Sequence, residues 1–264
     1  MSSIVSVGTA VPPYLMHQEE ACRLAGEHFN GAIENLPKFG LRPGIRRLPL
    51  FGLGCAGGAA GIALCNTLAA TRAAANVLLV AVEINSLTFQ PDDMTKANLV
   101  ACGLFGDGAA AVLLGGDSEG PLNVLNSVSL LRRQTDHLMG WDFVDTGFRV
   151  VFSRAVPQTI MDMMPAAVAE VVDGRNIGLD DIDCFIFHPG GKRILEAYEK
   201  VLGRSREDFA SSYGVLAHYG NMSSASVLFV LDEQLRRAHG AGDYGLLAAF
   251  GPGFSAEATL VQWT

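Results

Sequence analysis

A Gly-rich turn, an apolar helix and two apolar strands follow one another twice in this chain, once after Cys55 and again after Asn221. The first copy runs from LPLFGLGCAGG around Cys55 through the Ala- and Leu-rich stretch Ala56 to Ala75, whose small residues suit a buried helix packed closely on its neighbours. It continues into Asn76 to Ile84, a continuous apolar run of the kind expected in the middle of a sheet covered on both sides, and then Gly108 to Leu114. The second copy runs from YGNMSS around Asn221 through the helical pattern Ser224 to Ala238 into Tyr244 to Phe250 and Ala256 to Trp263. Alternating helices and strands predict an α/β fold of two similar halves facing each other, residues 1–120 and 121–264. Open α/β sheets gather ligand sites at strand-end turns, so both turns are expected at one central cleft.

Around that repeat the periodicity predicts a strand over Ile4 to Val11 ended by Pro12-Pro13, a helix over Glu19 to Phe29, a short amphipathic piece near Ile33 to Phe39 and a strand over Arg47 to Gly52. Further on it predicts a helix near Met94 to Cys102, a strand near Leu122 to Leu131, a long helix over Ala155 to Asp173, a short strand over Asp183 to Phe187 and a helix over Lys192 to Val201. With 264 residues, 49% of them hydrophobic, the chain can bury a sizeable core. A formal charge of -8 argues against nucleic acid as a partner. The longest apolar runs are too short to span a bilayer, and the N-terminus has no basic leader, so the cytoplasm is the expected compartment.

Five cysteines, Cys22, Cys55, Cys65, Cys102 and Cys184, are odd in number and widely spread, with no CxxC pair, which argues against a disulfide framework and a structural zinc site. Four of them sit in apolar surroundings and read as small buried hydrophobes. Cys55 differs, because it stands at a strand-to-helix turn flanked by Gly52, Gly54, Gly57 and Gly58. A thiol of ordinary pKa, about 8.5, is mostly protonated at neutral pH, and a helix N-terminus with a neighbouring imidazole lowers that value. His188 precedes Pro189-Gly190-Gly191, a turn that exposes its side chain, and Asn221 opens the next helix. Cys, His and Asn together can hold an acyl group as a thioester and bind the oxyanions formed on it. Each residue has a plainer reading as well: Cys55 as a packing residue, His188 as a hydrogen-bonded structural histidine, Asn221 as a helix N-cap.

The strings LFGLGCAGG, LFGDGAAAVLLG, FHPGG, YGNMSSASVLFVLDE and AFGPGFSAEATLV together resemble a type III polyketide synthase, the chalcone synthase-like branch of the thiolase fold. LTFQPDDMTKANLVACGLFGDG and WDFVDTGFRVVFSRAVP resemble its bacterial members more than the plant ones. The resemblance covers nearly everything from about Gly31 to Thr264. It implies layered αβαβα architecture in two pseudo-symmetric halves, and a homodimer that loads an acyl-CoA starter onto Cys55 and extends it with malonyl-CoA. His188 and Asn221 would then hold the malonyl thioester carbonyl while carbon dioxide leaves, and the extended chain would cyclise to an alkylresorcinol, alkylpyrone or related product. CoA thioesters would be substrates, and no metal or prosthetic group is implied. Phe105 matches the family's gatekeeper, with an ordinary core Phe as the plainer reading. Thr88 and Ser223 match cavity-lining positions, Gly190 and Gly191 belong to the His188 turn, and Val150 stands where plant enzymes carry a second gatekeeper aromatic, leaving more room.

Near Phe29 to Gly31 the chain skips on the order of a hundred residues that family members possess, so the N-terminal half is expected to be incomplete. The skipped stretch would carry a crossover helix, the strand between the first and third of the N-terminal sheet, and basic residues for the CoA phosphates. Unpaired neighbours in that sheet, weak CoA binding and low stability are the expected consequences. Three other readings stand beside the synthase: a ketoacyl-carrier-protein synthase III-like condensing enzyme, a catalytically impaired truncated paralogue, and a Cys hydrolase with a superficial likeness to the GxSxG elbow.

Overall fold

A computed structural model describes residues 2–11, 44–71, 76–116 and 120–264. The expected turn at Pro12-Pro13, helix Glu19 to Phe29, amphipathic piece Ile33 to Phe39, Cys22 and the junction near Gly31 lie outside the described residues.

Strand β1 (Ser2–Ala10), helix α1 (Gly57–Ala70), strand β2 (Asn76–Glu83), helix α2 (Lys96–Leu104) and strand β3 (Gly108–Gly115) form the first part. Strand β4 (Leu122–Leu131), the hairpin β5 (Met139–Val144) and β6 (Gly147–Phe152), helix α3 (Val156–Val171), strand β7 (Ile182–Phe187), helices α4 (Lys192–Leu202), α5 (Ala210–Tyr219) and α6 (Ser224–Leu235), and strands β8 (Tyr244–Gly251) and β9 (Ser255–Trp263) form the second. Seven strands share one sheet in the order β2-β3-β1-β4-β9-β8-β7, antiparallel except for the parallel pair β7 and β8. The two parts are joined by a short ladder in which Ser2, Ser3 and Ile4 pair with Val124, Asn123 and Leu122.

Helices α1 and α6 pack on each other and on strands from both parts. Their contact depends on Gly58, where an added Cβ would come within 2.3 Å of the Ser224 carbonyl oxygen. Every residue from Ser224 to Leu231 is buried, so α6 is enclosed all round, which explains its apolar sequence without an amphipathic stripe. Strands β8 and β9 lie between that helical layer and a second one formed by α3 and α4: Leu247, Ala249 and Val261 join the first core, while Leu246, Ala248, Phe250 and Leu260 join the other. Both faces of these strands are covered, so alternation gives way to continuous apolar runs.

The predicted strand Arg47 to Gly52 does not form. Residues 45–51 make no ladder, and Leu48, Leu50 and Phe51 are exposed. Asn76 to Ile84 is a strand but not a central one. It closes the sheet at one edge, pairing only with β3 among the described residues, and its Leu78, Val80 and Val82 face outward at 47%, 57% and 60% exposure. Neither its free edge nor its outer face is covered by a described element, whereas β1 has partners on both sides, so the expected shortage of strand partners falls on β2. Cys102 is exposed rather than set in apolar surroundings, while Cys65 and Cys184 are buried as expected. The hairpin β5–β6 and helix α5 are elements the periodicity did not indicate.

Candidate active site

Because α1 and α6 lie side by side, the turns at their N-terminal ends meet. Cys55 occupies the 3-10 turn Gly54–Ala56 that leads into α1. Gly54 has φ +48, and a Cβ there would stand 2.8 Å from Pro252, so this turn admits only glycine at that position. Asn221 sits ahead of α6, clasped by α2: its N–H donates to the Leu104 carbonyl at 2.8 Å, and its own carbonyl accepts from the Gly106 N–H at 3.0 Å. Between these two bonds Phe105 is bridged to Asn221. At the end of β7, the His188 N–H donates to the Ala248 carbonyl at 2.9 Å, and the Gly190 N–H donates back to the His188 carbonyl at 3.0 Å.

The side chains converge. The Asn221 amide donates to the Gly190 carbonyl at 3.3 Å and, through its oxygen, accepts the Ser223 N–H at 2.9 Å. Ser223 and Asn221 line the same cavity as Cys55. Ser223 has φ +49 and ψ -128, a conformation that costs a non-glycine residue about 1–3 kcal/mol and recurs where a turn serves a site. His188 is 2% exposed, and among the described residues neither ring nitrogen has a hydrogen-bond partner.

Electrostatics depart from the sequence expectation. Burial pushes the Cys55 thiol up to about 11, and the nearby Glu83 carboxylate adds to the rise, so the helix N-terminus does not win. Burial likewise pushes His188 down to about 3, which keeps the imidazole neutral at physiological pH, with one N–H to donate.

Cys55, Phe105, Val150, His188, Gly190, Asn221 and Ser223 all line one cavity of roughly 590 Å³, counting the open solvent at its mouth. Thr88 and Gly191 stand outside that lining. The Thr88 hydroxyl is turned back to donate to the Asn85 carbonyl at 2.7 Å, and Gly191, at φ +144, serves as the N-cap of α4. The hairpin contributes a residue the sequence did not flag. Trp141 pairs across the strands with Val150 and also lines the cavity, its ring 6.2 Å from that of Phe105, so the room that Val150 leaves is faced by an indole.

Glu83 was also missed. It ends β2 on the same inward face as Leu79 and Ala81, and its carboxylate accepts from the Ser224 N–H at 3.3 Å and from the Ser224 hydroxyl. A signal was present, since strand alternation from the apolar Leu79 and Ala81 places residue 83 inward. Among the described residues no group of three His, Cys, Asp or Glu side chains is placed to hold a metal ion, and no helix is long and apolar enough to cross a membrane.

Comparison with known proteins places this geometry. Residues 22–118 match the family model for the N-terminal domain of chalcone and stilbene synthases, and residues 124–263 match the model for their C-terminal domain. A Bacillus subtilis (strain 168) protein provisionally named chalcone synthase is 41% identical over 230 residues, which are 84% of this chain and 63% of the relative. The 1,3,6,8-tetrahydroxynaphthalene synthase of Streptomyces peucetius is 39% identical over 233 residues, 86% of this chain and 61% of that protein. The crystal structure of 1,3,6,8-tetrahydroxynaphthalene synthase from Streptomyces coelicolor A3(2), a bacterial type III polyketide synthase, superposes with a TM-score of 0.84 at 33% identity, covering 89% of this chain and 67% of that one. The chain thus spans a little under two thirds of the length of the curated relatives it matches.

Proposed function

The chain belongs to the chalcone and stilbene synthase family of type III polyketide synthases, and from that premise we propose that it carries an acyl group on Cys55 and extends it by decarboxylative condensation with malonyl-CoA. The observation that carries the reading is the convergence of Cys55, His188 and Asn221, from three separate segments, on one largely apolar cavity.

In this reading the Cys55 sulfur attacks the starter thioester carbonyl, CoA departs, and the acyl group stays on the protein. Malonyl-CoA then enters with its thioester oxygen toward the neutral His188 N–H and the Asn221 amide. As the bond to the carboxylate breaks, carbon dioxide leaves and the electron pair moves onto that oxygen as an enolate. Two fixed donors at the developing charge are what the step needs, and removing one costs about 10²–10³ in turnover. The enolate carbon attacks the Cys55 thioester, forming the new carbon–carbon bond and releasing the sulfur. Because His188 is held neutral by burial, it donates without adding a charge that the malonyl carboxylate would favour over its product.

The finer assignment is a fatty acyl-CoA starter and an alkylresorcinol or alkylpyrone product, made by a cytoplasmic homodimer. Its support is the small Val150 side chain in the cavity wall and the apolar lining supplied by Ile160 and Ile194. Incubating the chain with a panel of acyl-CoAs and labelled malonyl-CoA, alongside Cys55→Ala, tests both levels. Labelled polyketide from the native chain and none from the variant is expected. Product from the variant would overturn the role of Cys55, and acceptance of short aromatic starters alone would overturn the fatty acyl assignment. An extender preference for malonyl-carrier protein over malonyl-CoA would favour the ketoacyl-carrier-protein synthase III-like reading.

A further inference from the structure

The hairpin β5–β6 forms a sheet of its own, apart from the seven-stranded one, yet its Met139, Trp141, Val150 and Phe152 line the cavity. A two-stranded hairpin is marginal in water by itself and depends on what it packs against. Its ion pair, Arg149 with Asp142, joins its own two strands, and its base closes where the Ser153 N–H donates to the Leu138 carbonyl at 2.8 Å. Among the described residues, every hydrogen bond from residues 139–152 to another element is made with one side chain, Gln90.

Gln90 meets the hairpin at its tip. Its amide nitrogen donates to the Phe148 carbonyl at 3.1 Å and to the Thr146 carbonyl at 3.3 Å, and its amide oxygen accepts from the Thr146 hydroxyl. A primary amide has two N–H donors and one carbonyl. Each is used here, so the amide fits only one way round. Gly147, between the two accepting carbonyls, takes φ +115, a conformation open to glycine at little cost. Gln90 is 7% exposed, so these groups have little water to turn to if the bonds are lost.

Gln90 is in turn fixed to the body of the site. Its carbonyl accepts from the Asn98 amide at 2.8 Å, in the first turn of α2, and the same amide donates to the Asp93 carbonyl at 2.7 Å. The other end of α2 is the clasp Leu104–Gly106 that holds Asn221. One helix thus carries two attachments: the hairpin wall at its start and Asn221 at its end.

We infer that Gln90 is a positioning residue for the condensation: it latches the hairpin β5–β6 over the cavity and so sets the size of the acyl group that fits on Cys55. It touches no reacting atom and acts through Trp141 and Val150, the wall that the hairpin carries. With the latch released, the hairpin keeps its base and its packing on α2, Phe105 and the turn Asn85–Thr88, and the wall gives way to bulkier groups. The inference rests on the proposed use of Cys55 as the acyl carrier. Its test needs no polyketide to be made, so its failure is separable from failure of the synthase reading.

The experiment is alkylation of the full chain at neutral pH by iodoacetamide and, separately, by the bulky fluorescein maleimide, read by peptide mass at each cysteine. The ratio of the two rates at Cys55 cancels any change in the ionisation of the thiol. Gln90→Glu keeps the shape of the side chain but turns an oxygen, in place of two donors, toward two carbonyls. For Gln90→Glu and Gln90→Ala the maleimide-to-iodoacetamide ratio at Cys55 should rise at least about tenfold, while the buried Cys65 and Cys184 stay protected. Thr146→Val removes one bond of the three and should raise the ratio about threefold. Trp141 is one of two tryptophans and the other, Trp263, is 7% exposed, so acrylamide quenching of fluorescence should increase in the same variants. An unchanged ratio in Gln90→Glu overturns the latch. So does a rise at Cys55 matched by equal rises at Cys65 and Cys184, which would mark loosening of the whole fold. Should both Gln90 variants lose their cooperative melt, Thr146→Val decides by the same ratio, and no change there overturns the latch. A shifted ratio in a chain that makes no polyketide supports the latch and counts against the synthase reading.

Discussion

Strands β2 and β8 are read from nearly the same kind of sequence, NVLLVAVE and YGLLAAFG, yet one ends the sheet with a bare face and the other is enclosed on both. On β8, Leu246 and Leu247 point to opposite cores and both are at most 1% exposed. On β2, Leu79 is covered by α1 while Leu78 stands at 47% exposure, with Val80 and Val82 beside it. An apolar run records that a strand was shaped for two covering layers, and it does not record whether both layers are present. The second layer over β8 is supplied by α3 and α4. Over the outer face of β2 no described element plays that part, and the curated relatives are longer than this chain.

The largest effect that sharpens this contrast is in the core. Leu247→Ala, at 0% exposure, should lose about 2–5 kcal/mol in urea unfolding, while Leu78→Ala should stay within about 0.5 kcal/mol of wild type. Comparable losses at the two sites would break the comparison, because they would mean that the outer face of β2 is covered in solution.

Acid should expose the same difference by a route that the enclosed side alone provides. His188 is depressed from 6.5 in the unfolded chain to about 3 in the fold, so the unfolded chain binds the extra proton between those values. Its contribution is complete above about pH 6.5 and is lost as pH falls toward 3. By pH 5 the wild type should lose about 2 kcal/mol more than His188→Gln, measured by urea unfolding at both pH values. Equal losses would show that the imidazole is hydrated and the β7 end less enclosed than its surroundings indicate. The smallest shift is expected from Val80→Lys, which should leave the melting temperature within a few degrees and raise solubility, since charges on an exposed edge strand oppose edge-to-edge association. A large drop there would again point to a covering partner.

Much of the second part was legible because its helices and strands carry strong periods with clear stops, from β4 at Leu122–Leu131 through β9 at Ser255–Trp263. The exceptions share a cause. Helix α5 buries Ser211, Ser212 and Val215, with the Ser212 hydroxyl donating to the Phe187 carbonyl, so its inward face is not an apolar stripe. Hairpin β5–β6 turns over Asp145 and Thr146 with polar residues among its aromatics, and its value to the site lies in a cross-strand pair that no linear pattern displays. In the first part, Arg47 to Gly52 has the look of a strand but no neighbour with which to form a ladder among the described residues. The three residues at the heart of the candidate site were readable from their turns. Strand alternation points Glu83 inward but does not say what it meets, and Trp141 carries no linear signal at all, because each reaches the site only through a neighbour distant in sequence.

The clasp between Leu104–Gly106 and Asn221 bears on how this chamber can be redesigned. Phe105 is held to Asn221 by main-chain bonds on either side of it, and none of them involves its ring. The ring at position 105 is therefore an interchangeable part of the cavity wall: it can be trimmed or enlarged while the main-chain clasp on Asn221 keeps its shape. Insertions or prolines in the same three residues would instead break those bonds and let Asn221 shift.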